Sequence, residues 1–206
     1  MKTFVLIWRA LLALVLFAPT FAQSQPNEKT IANDFHPLKD AIVLIIRHAE
    51  KPDSGQGLSA AGQQRAEAYV QYFKGFQVAA KPVRLDYLFA TADSKGSQRP
   101  RLTLEPLAAA LGLKVDHRFK NKNFQELADE IQSKDHGKCM LICWHHGEIP
   151  ELVRALGADP AKLLPDAKWP DREYGWVLQL RYDHEGRVIP GETVRVSENL
   201  MPGDLK

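Results

Sequence analysis

Cysteine is scarce, with two in 206 residues, which excludes a disulfide-rich scaffold. Cys139 and Cys143 stand four positions apart in one apolar run. At about 3.3 Å per residue of extended chain their Cα atoms lie roughly 13 Å apart, and a disulfide needs less than about 7 Å. Buried thiols are expected, and neither spacing nor neighbours build a tetrahedral metal site. No block of basic residues is present and the net charge is +2, so nothing draws the chain to nucleic acid. Repeats and low-complexity tracts are absent. So is an unbroken apolar run long enough to span a bilayer: the most apolar stretch, residues 4–21, is interrupted by Arg9, leaving 10–17 as its core.

What remains is ordinary globular composition, 45% hydrophobic and 25% charged, enough for one domain with a core. Residues 1–22 differ from the rest. Lys2 gives a positive start, an apolar stretch follows, and small residues at Ala18 and Ala22 precede a polar segment. That is the layout of a secretory signal peptide cleaved after Ala22. The alternative, an uncleaved anchor, is opposed by Arg9. Export to the periplasm is expected, with no stable membrane insertion after cleavage. Loss of Lys2 and Arg9 would leave a mature chain of zero net charge. Residues 23–40, with Pro26 and Pro37, are expected to be a flexible lead-in to a domain over 41–206.

Residues 41–46 are six apolar residues in a row, four of them β-branched, and predict a strand buried on both faces. The run ends in Arg47-His48. Ser59 is placed to cap a helix that ends near Gly75. Residues 85–91 predict a second strand, and 100–111 a helix with Pro100 in its first turn, Gly112 at its end and a kink or break at Pro106. A short strand at 114–116, an amphipathic helix at 124–132 and a buried strand at 139–144 follow. The last ends in His145-His146-Gly147-Glu148, and residues 149–156 predict a helix closed by Gly157. Residues 176–182 and 187–196 flank Asp183-His184-Glu185-Gly186, a hairpin signal. Strands alternating with helices argue for an α/β fold: a three-layer αβα sandwich with a mostly parallel central sheet and the antiparallel C-terminal hairpin at its edge.

In a parallel sheet the carboxyl ends of the strands share one edge, where ligands bind in open α/β folds. Arg47-His48, the loop leading to Arg99, and His145-His146 all fall on that edge. Two arginines with histidines suit a phosphoryl group. Guanidinium forks bind its peripheral oxygens with charge-assisted hydrogen bonds. A neutral imidazole can attack phosphorus, and a second can donate to the transferring oxygens. With arginines carrying the positive charge, no metal and no cofactor are called for.

These motifs resemble the histidine phosphatase superfamily, the phosphoglycerate mutase-like fold. The matching residues are Arg47-His48-Ala49-Glu50 after the first strand and Leu58-Ser59-Ala60-Ala61-Gly62 at the first helix. Arg99 with Thr103 four residues on follows, then Glu105-Pro106-Leu107-Ala108, and last the histidines after the buried strand. The resemblance covers residues 41–157. It implies that His48 is a nucleophile forming a phosphohistidine, that Arg47 and Arg99 clamp the phosphoryl oxygens, and that a second histidine stabilises the transferring group. Spacing to Thr103 favours Arg99 over Arg101.

For the second histidine, the offset from Ile149 selects His145, whereas the frequent His-Gly pair selects His146. Neighbours on a strand face opposite ways, so one of the two is expected in the pocket, and the His-Gly pair favours His146. The acid-phosphatase branch of the family places an Asp directly after that histidine, where this chain has Gly147. Glu148 is the candidate proton donor, with Asp116 and Glu50 behind it. Lys51 and Asp53 stand where an entrance would be, although a solvated loop is the simpler expectation for both. Trp144, Trp169 and Trp176 are expected to pack the core. His36, His117, His136 and His184 sit in polar segments without an assigned role. The implied activity is phosphomonoester hydrolysis on a small phosphorylated substrate. The alternatives are a phosphate- or phosphosugar-binding relative without turnover, and a phosphohistidine protein phosphatase.

Overall fold

Chain order gives β1 (Ile42–Arg47), α1 (Ala60–Lys74), β2 (Gln77–Val78), β3 (Lys81–Pro82), β4 (Tyr87–Thr91), α2 (Arg99–Leu111), β5 (Val115–Phe119), α3 (Phe124–Ser133), β6 (Cys139–Trp144), α4 (Ile149–Ala155), β7 (Trp176–Arg181) and β8 (Val194–Ser197). The structure, a computed structural model, describes residues 37–204. The expected signal peptide, nearly all of the lead-in and His36 lie outside the described residues.

Six strands make one sheet in the order β5-β4-β6-β1-β7-β8. The pairs β4–β5, β4–β6 and β1–β6 are parallel, while β7 runs antiparallel to β1 and to β8. All six residues of β1 and all six of β6 are buried, as two-sided cover demands of an apolar run. Alternation then divides them between two cores. Val43, Ile45, Met140, Ile142 and Trp144 face α3 and α4, packing with Leu127, Ile131, Leu152 and Val153. Ile42, Leu44, Ile46, Leu141 and Cys143 face α1 and α2, packing with Tyr69, Phe73, Leu104 and Leu107. The result is the αβα sandwich. Both cysteines are free and buried, and burial pushes the Cys139 thiol up to about 12.

Local signals hold at several ends. Ser59 Oγ accepts from the Gly62 amide at 3.1 Å and caps α1. Gly112, in the left-handed region at φ 67°, closes α2. Two expectations are revised and one element went unsignalled. Of the kink or break expected at Pro106, the break is excluded, because α2 runs through it: Leu104, Leu107 and Ala108 on either side of it are buried, and that packing holds the helix despite one missing amide. The C-terminal return is not a tight hairpin over 187–196. After a single bridge between Tyr182 and Val188, a short 3-10 turn at Pro190–Glu192 intervenes, and β8 starts only at Val194. Pro190 has no amide to give a ladder, which explains the late start. The small ribbon β2–β3 was not signalled at all: its turn is Ala79-Ala80, both at positive φ, a conformation alanine does not advertise.

The C-terminal segment is tied to the fold by one buried guanidinium. Arg65 on α1 is 1% exposed and bonds Glu50 at 2.8 Å, Glu198 at 2.9 Å and Asp204 at 2.8 Å. Tyr69 adds a hydroxyl donor to Glu198 at 2.9 Å. One cation thus faces three carboxyl groups, and the most buried of them takes a proton: burial, with Asp204 nearby, raises Glu198 to about 8. The folded state therefore holds a proton that the unfolded chain has released. Its stabilising effect is complete below the ordinary Glu value and is lost as pH rises through the folded one. Above the range in which the unfolded chain's histidines titrate, the urea midpoint is expected to fall between about pH 7 and about pH 9, and Glu198→Gln, which keeps the shape without the titration, should flatten that decline. A wild-type midpoint constant over this range would contradict the assignment.

Candidate active site

The register between β1 and β6 sets the site. Ile46 pairs with Cys143 and Arg47 with Trp144. One step further, the His48 amide donates to the Trp144 carbonyl at 3.1 Å, which continues the ladder past the end of both strands. His48 therefore stands beside His145, and their rings meet edge to face with centroids 5.0 Å apart. Both follow the strand face shared by Ile46 and Cys143. His146 makes a different contact: its Nε2 lies 3.0 Å from Asp171 Oδ1 in the segment before β7. The ring against His48 is thus that of His145, while His146 also lines the cavity, so the expectation that only one of the two reaches the pocket is corrected.

The residues after His48 are fixed from two sides. The Ala49 amide donates to Thr103 Oγ1 at 2.9 Å, and the Thr103 hydroxyl donates to the Arg99 carbonyl at 2.8 Å. The first turn of α2 is thereby clipped to the end of β1, which is the physical content of the four-residue spacing from Arg99 to Thr103. On the other side, a Cβ on Gly62 would sit 2.3 Å from the Glu50 carbonyl oxygen, so only glycine lets α1 start this close.

Arg47, His48, Arg99, His145 and His146 all line one cavity of about 340 Å³, together with Lys51, Ser94, Ser97, Asn121 and Gly147. Of the sequence-derived candidates, Glu148 is not brought to it. Its carboxylate pairs with Lys122, and its backbone starts α4. Glu50 is engaged by Arg65, and Asp116 by Tyr87 and Arg118. Arg101 is tied to Asp93 and Glu105 and also stays outside the lining. Lys51 lines the cavity; Asp53 does not. Trp144, Trp169 and Trp176 pack the core as expected, the last two with ring centroids 5.6 Å apart.

His48 is 3% exposed, and its Nδ1 lies 2.7 Å from the Ala49 carbonyl. A carbonyl can only accept, so Nδ1 carries the proton and Nε2 keeps the lone pair. Burial, then the positive field of His145, Arg47 and Arg99, brings His48 down to about 3. Burial, Arg99, His146 and Arg47 bring His145 down to about 4. Both rings are neutral at pH 7.

Arg47 is 1% exposed, and its Nη1 donates to three carbonyls, Pro170, Asp171 and Glu173, at 3.2, 2.7 and 2.9 Å. Its guanidinium lies over the Tyr174 ring, 3.9 Å from the centroid, and Nη2 donates to the Tyr174 hydroxyl at 3.3 Å. Arg99 Nη1 donates to the Gly55 carbonyl at 3.2 Å. Both Nε atoms are buried without a hydrogen-bond partner, and so is Asn121 Oδ1. Unmet buried donors of this kind need an explanation, and here two belong to arginines that line one cavity. The segment 170–174 and Asn121 were missed by sequence reasoning. The segment contributes carbonyls, which every residue type has, and Asn121 belongs to no recurring spacing.

Two outcomes are expected. Imidazole resonances of His48 and His145 should stay at their neutral positions from pH 7 to about pH 5, where an unperturbed histidine titrates near about 6.5. Saturating inorganic phosphate should move both upward in pKa. Arg99→Ala should weaken phosphate binding by about 10- to 100-fold, the loss of one charge-assisted contact, read by calorimetry. Titration of both rings near the ordinary value would remove the burial argument.

No protein-family model matches the sequence, and no curated protein matches it. Solved structures do. The phosphoglycerate mutase of Plasmodium falciparum aligns at a TM-score of 0.51 and 14% identity, over 79% of this chain and 94% of that one. A putative alpha-ribazole-5'-P phosphatase from Escherichia coli aligns at 0.50 and 15%, over 77% of this chain and all of that one. A mutant phosphoserine phosphatase from Entamoeba histolytica, solved with phosphoserine, aligns at 0.50 and 13%, over 81% of this chain and all of that one. With the strand order, the sandwich and these alignments in agreement, the chain has the phosphoglycerate mutase-like fold.

Proposed function

We propose that this protein is a phosphomonoesterase working through a phosphohistidine on His48. The observation that carries this reading is a cavity lined by two arginines, Arg47 and Arg99, each with an unpartnered Nε, and by two neutral imidazoles, His48 buried and His145 half-buried. A tetrahedral oxyanion supplies the missing acceptors. Arg47, Arg99 and Lys51 provide the positive charge that the transferring group needs, and no further cation is called for. His48 Nε2, with its lone pair exposed by the Nδ1–carbonyl bond, forms the bond to phosphorus while the phosphorus–oxygen bond of the ester breaks. The electron pair leaves with the alcohol oxygen, which takes up a proton. Water then attacks phosphorus, the nitrogen–phosphorus bond breaks, and Nε2 recovers its lone pair. His145, edge-on to His48, is placed to bond the transferring oxygens. The known phosphorylated ligand of one structural relative, phosphoserine, is of the same chemical class.

Export belongs to the same proposal and rests on residues 1–22 alone. A phosphate-releasing enzyme outside the cytosol accords with that segment, whereas a glycolytic mutase, whose substrates are cytosolic, does not.

A second reading, a phosphate-binding protein without turnover, is favoured by one observation: no carboxylate is among the residues lining the cavity. Hydrolysis of an activated aryl phosphate separates the two. Wild type is expected to turn over and to trap a phosphoryl group that is stable to base and labile to acid, and His48→Ala to do neither. Equal rates in the two proteins would refute the nucleophile, and tight phosphate binding with no trapped phosphoenzyme would establish the binder.

A further inference from the structure

Hydrolysis of an ordinary alkyl phosphate needs a proton for the departing oxygen, and the cavity offers no carboxylic acid to give it. Glu148, Glu50 and Asp116 are each held by a cation or hydroxyl away from the lining. One carboxylate reaches the cavity indirectly. Asp171 Oδ1 lies 3.0 Å from Nε2 of His146, and His146 is a lining residue. The Asp171 side chain is itself 90% exposed, but its backbone is pinned: its carbonyl accepts from Arg47 Nη1 at 2.7 Å. A buried arginine thus holds the segment from which this carboxylate reaches the His146 ring. A histidine backed by a carboxylate and facing a cavity is the arrangement that moves protons near neutral pH.

Resting on the phosphatase reading above, we propose that His146 is the general acid for the leaving group, with Asp171 as its positioning residue. The imidazolium of His146 gives its proton to the alcohol oxygen as the phosphorus–oxygen bond breaks and the nitrogen–phosphorus bond to His48 forms. The neutral ring then accepts a proton from the water that attacks the phosphohistidine, which restores the imidazolium and balances the cycle. The groups facing His146 are Arg47, Lys51, His145 and Asp171. Burial and the cations disfavour its charged form, Asp171 favours it, and a bound phosphate adds to the side of Asp171. The acid is therefore armed mainly when substrate is present. Phosphorylation of the enzyme by an alkyl phosphate should slow as pH rises through the pKa of His146 in the complex.

The test measures rates of phosphoenzyme formation from p-nitrophenyl phosphate, whose leaving group needs no proton, and from glycerol phosphate, whose leaving group does. In His146→Gln the glycerol-to-aryl rate ratio is expected to fall by about 100-fold or more, the usual share of a general acid. In Asp171→Asn it should fall less, and the alkaline limb for glycerol phosphate should move to lower pH. An unchanged ratio in His146→Gln, with phosphoenzyme still trapped from the aryl ester, overturns the assignment and leaves the phosphatase reading intact. A fall of the ratio in Tyr174→Phe without one in His146→Gln also overturns it and transfers the role. If wild type traps no phosphoenzyme from either ester, the underlying phosphatase reading fails and this inference with it.

Discussion

The in-register parallel pairing of β1 with β6 is the constraint on which the site depends. β6 is apolar throughout, β1 is apolar up to Arg47, and both are covered on both sides, so their register is held by every side chain they bury. A slip of one residue would send Ile46 and Cys143 into opposite cores. It would also part His48 from His145, which meet because each follows its strand by the same count on the same face. Arg47, one residue earlier, belongs to the other face, and this is why it reaches the segment 170–174 while His48 faces the α1–α2 side. Thr103 then adds α2 to the arrangement by holding the Ala49 amide and the Arg99 carbonyl with one hydroxyl.

The second determinant is unbalanced positive charge in a small space. A buried polar atom without a partner costs about 1–3 kcal/mol. Arg47 and Arg99 carry one such atom each in the same cavity, a cost that an oxyanion would offset on binding. Burial first, and the same field after it, hold the neighbouring imidazoles of His48 and His145 neutral. Carboxylates would undo both effects if they lined the cavity. The fold keeps Glu50 and Glu148 engaged elsewhere, on Arg65 and Lys122, and Asp171 reaches the cavity only through His146.

Much of this was legible in the order of residues, and the failures have physical causes. Residues 139–144 match β6 from end to end because an apolar run between polar groups leaves no freedom in its limits. The Ser59 cap was readable because its partner is three residues away. The choice of Arg99 over Arg101 followed from a local spacing. The choice between His145 and His146 could not follow from a motif, since both orders occur in one tetrapeptide. It needed the register of β6 against β1, a contact between segments almost 100 residues apart. The segment 170–174 left no trace because its carbonyls do the bonding. The return strand was placed too early because β-forming residues at 187–189 precede Pro190, whose ring ends the ladder.

Arg47 joins these strands of the argument. Its Nη1 holds three carbonyls of the segment before β7, its face stacks on Tyr174, and its Nε has no hydrogen-bond partner. An anion bound by Arg47 would therefore act on the same rigid, planar group that places the segment. A lysine in its place would keep the charge, but a single ammonium cannot hold three carbonyls and also present a separate donor to a ligand. The buried guanidinium at this position is thus as much a structural element as a ligand-binding one. The segment it holds carries Asp171, whose carboxylate lies 3.0 Å from His146 Nε2, so a change at Arg47 reaches a second residue of the cavity lining through the backbone it anchors.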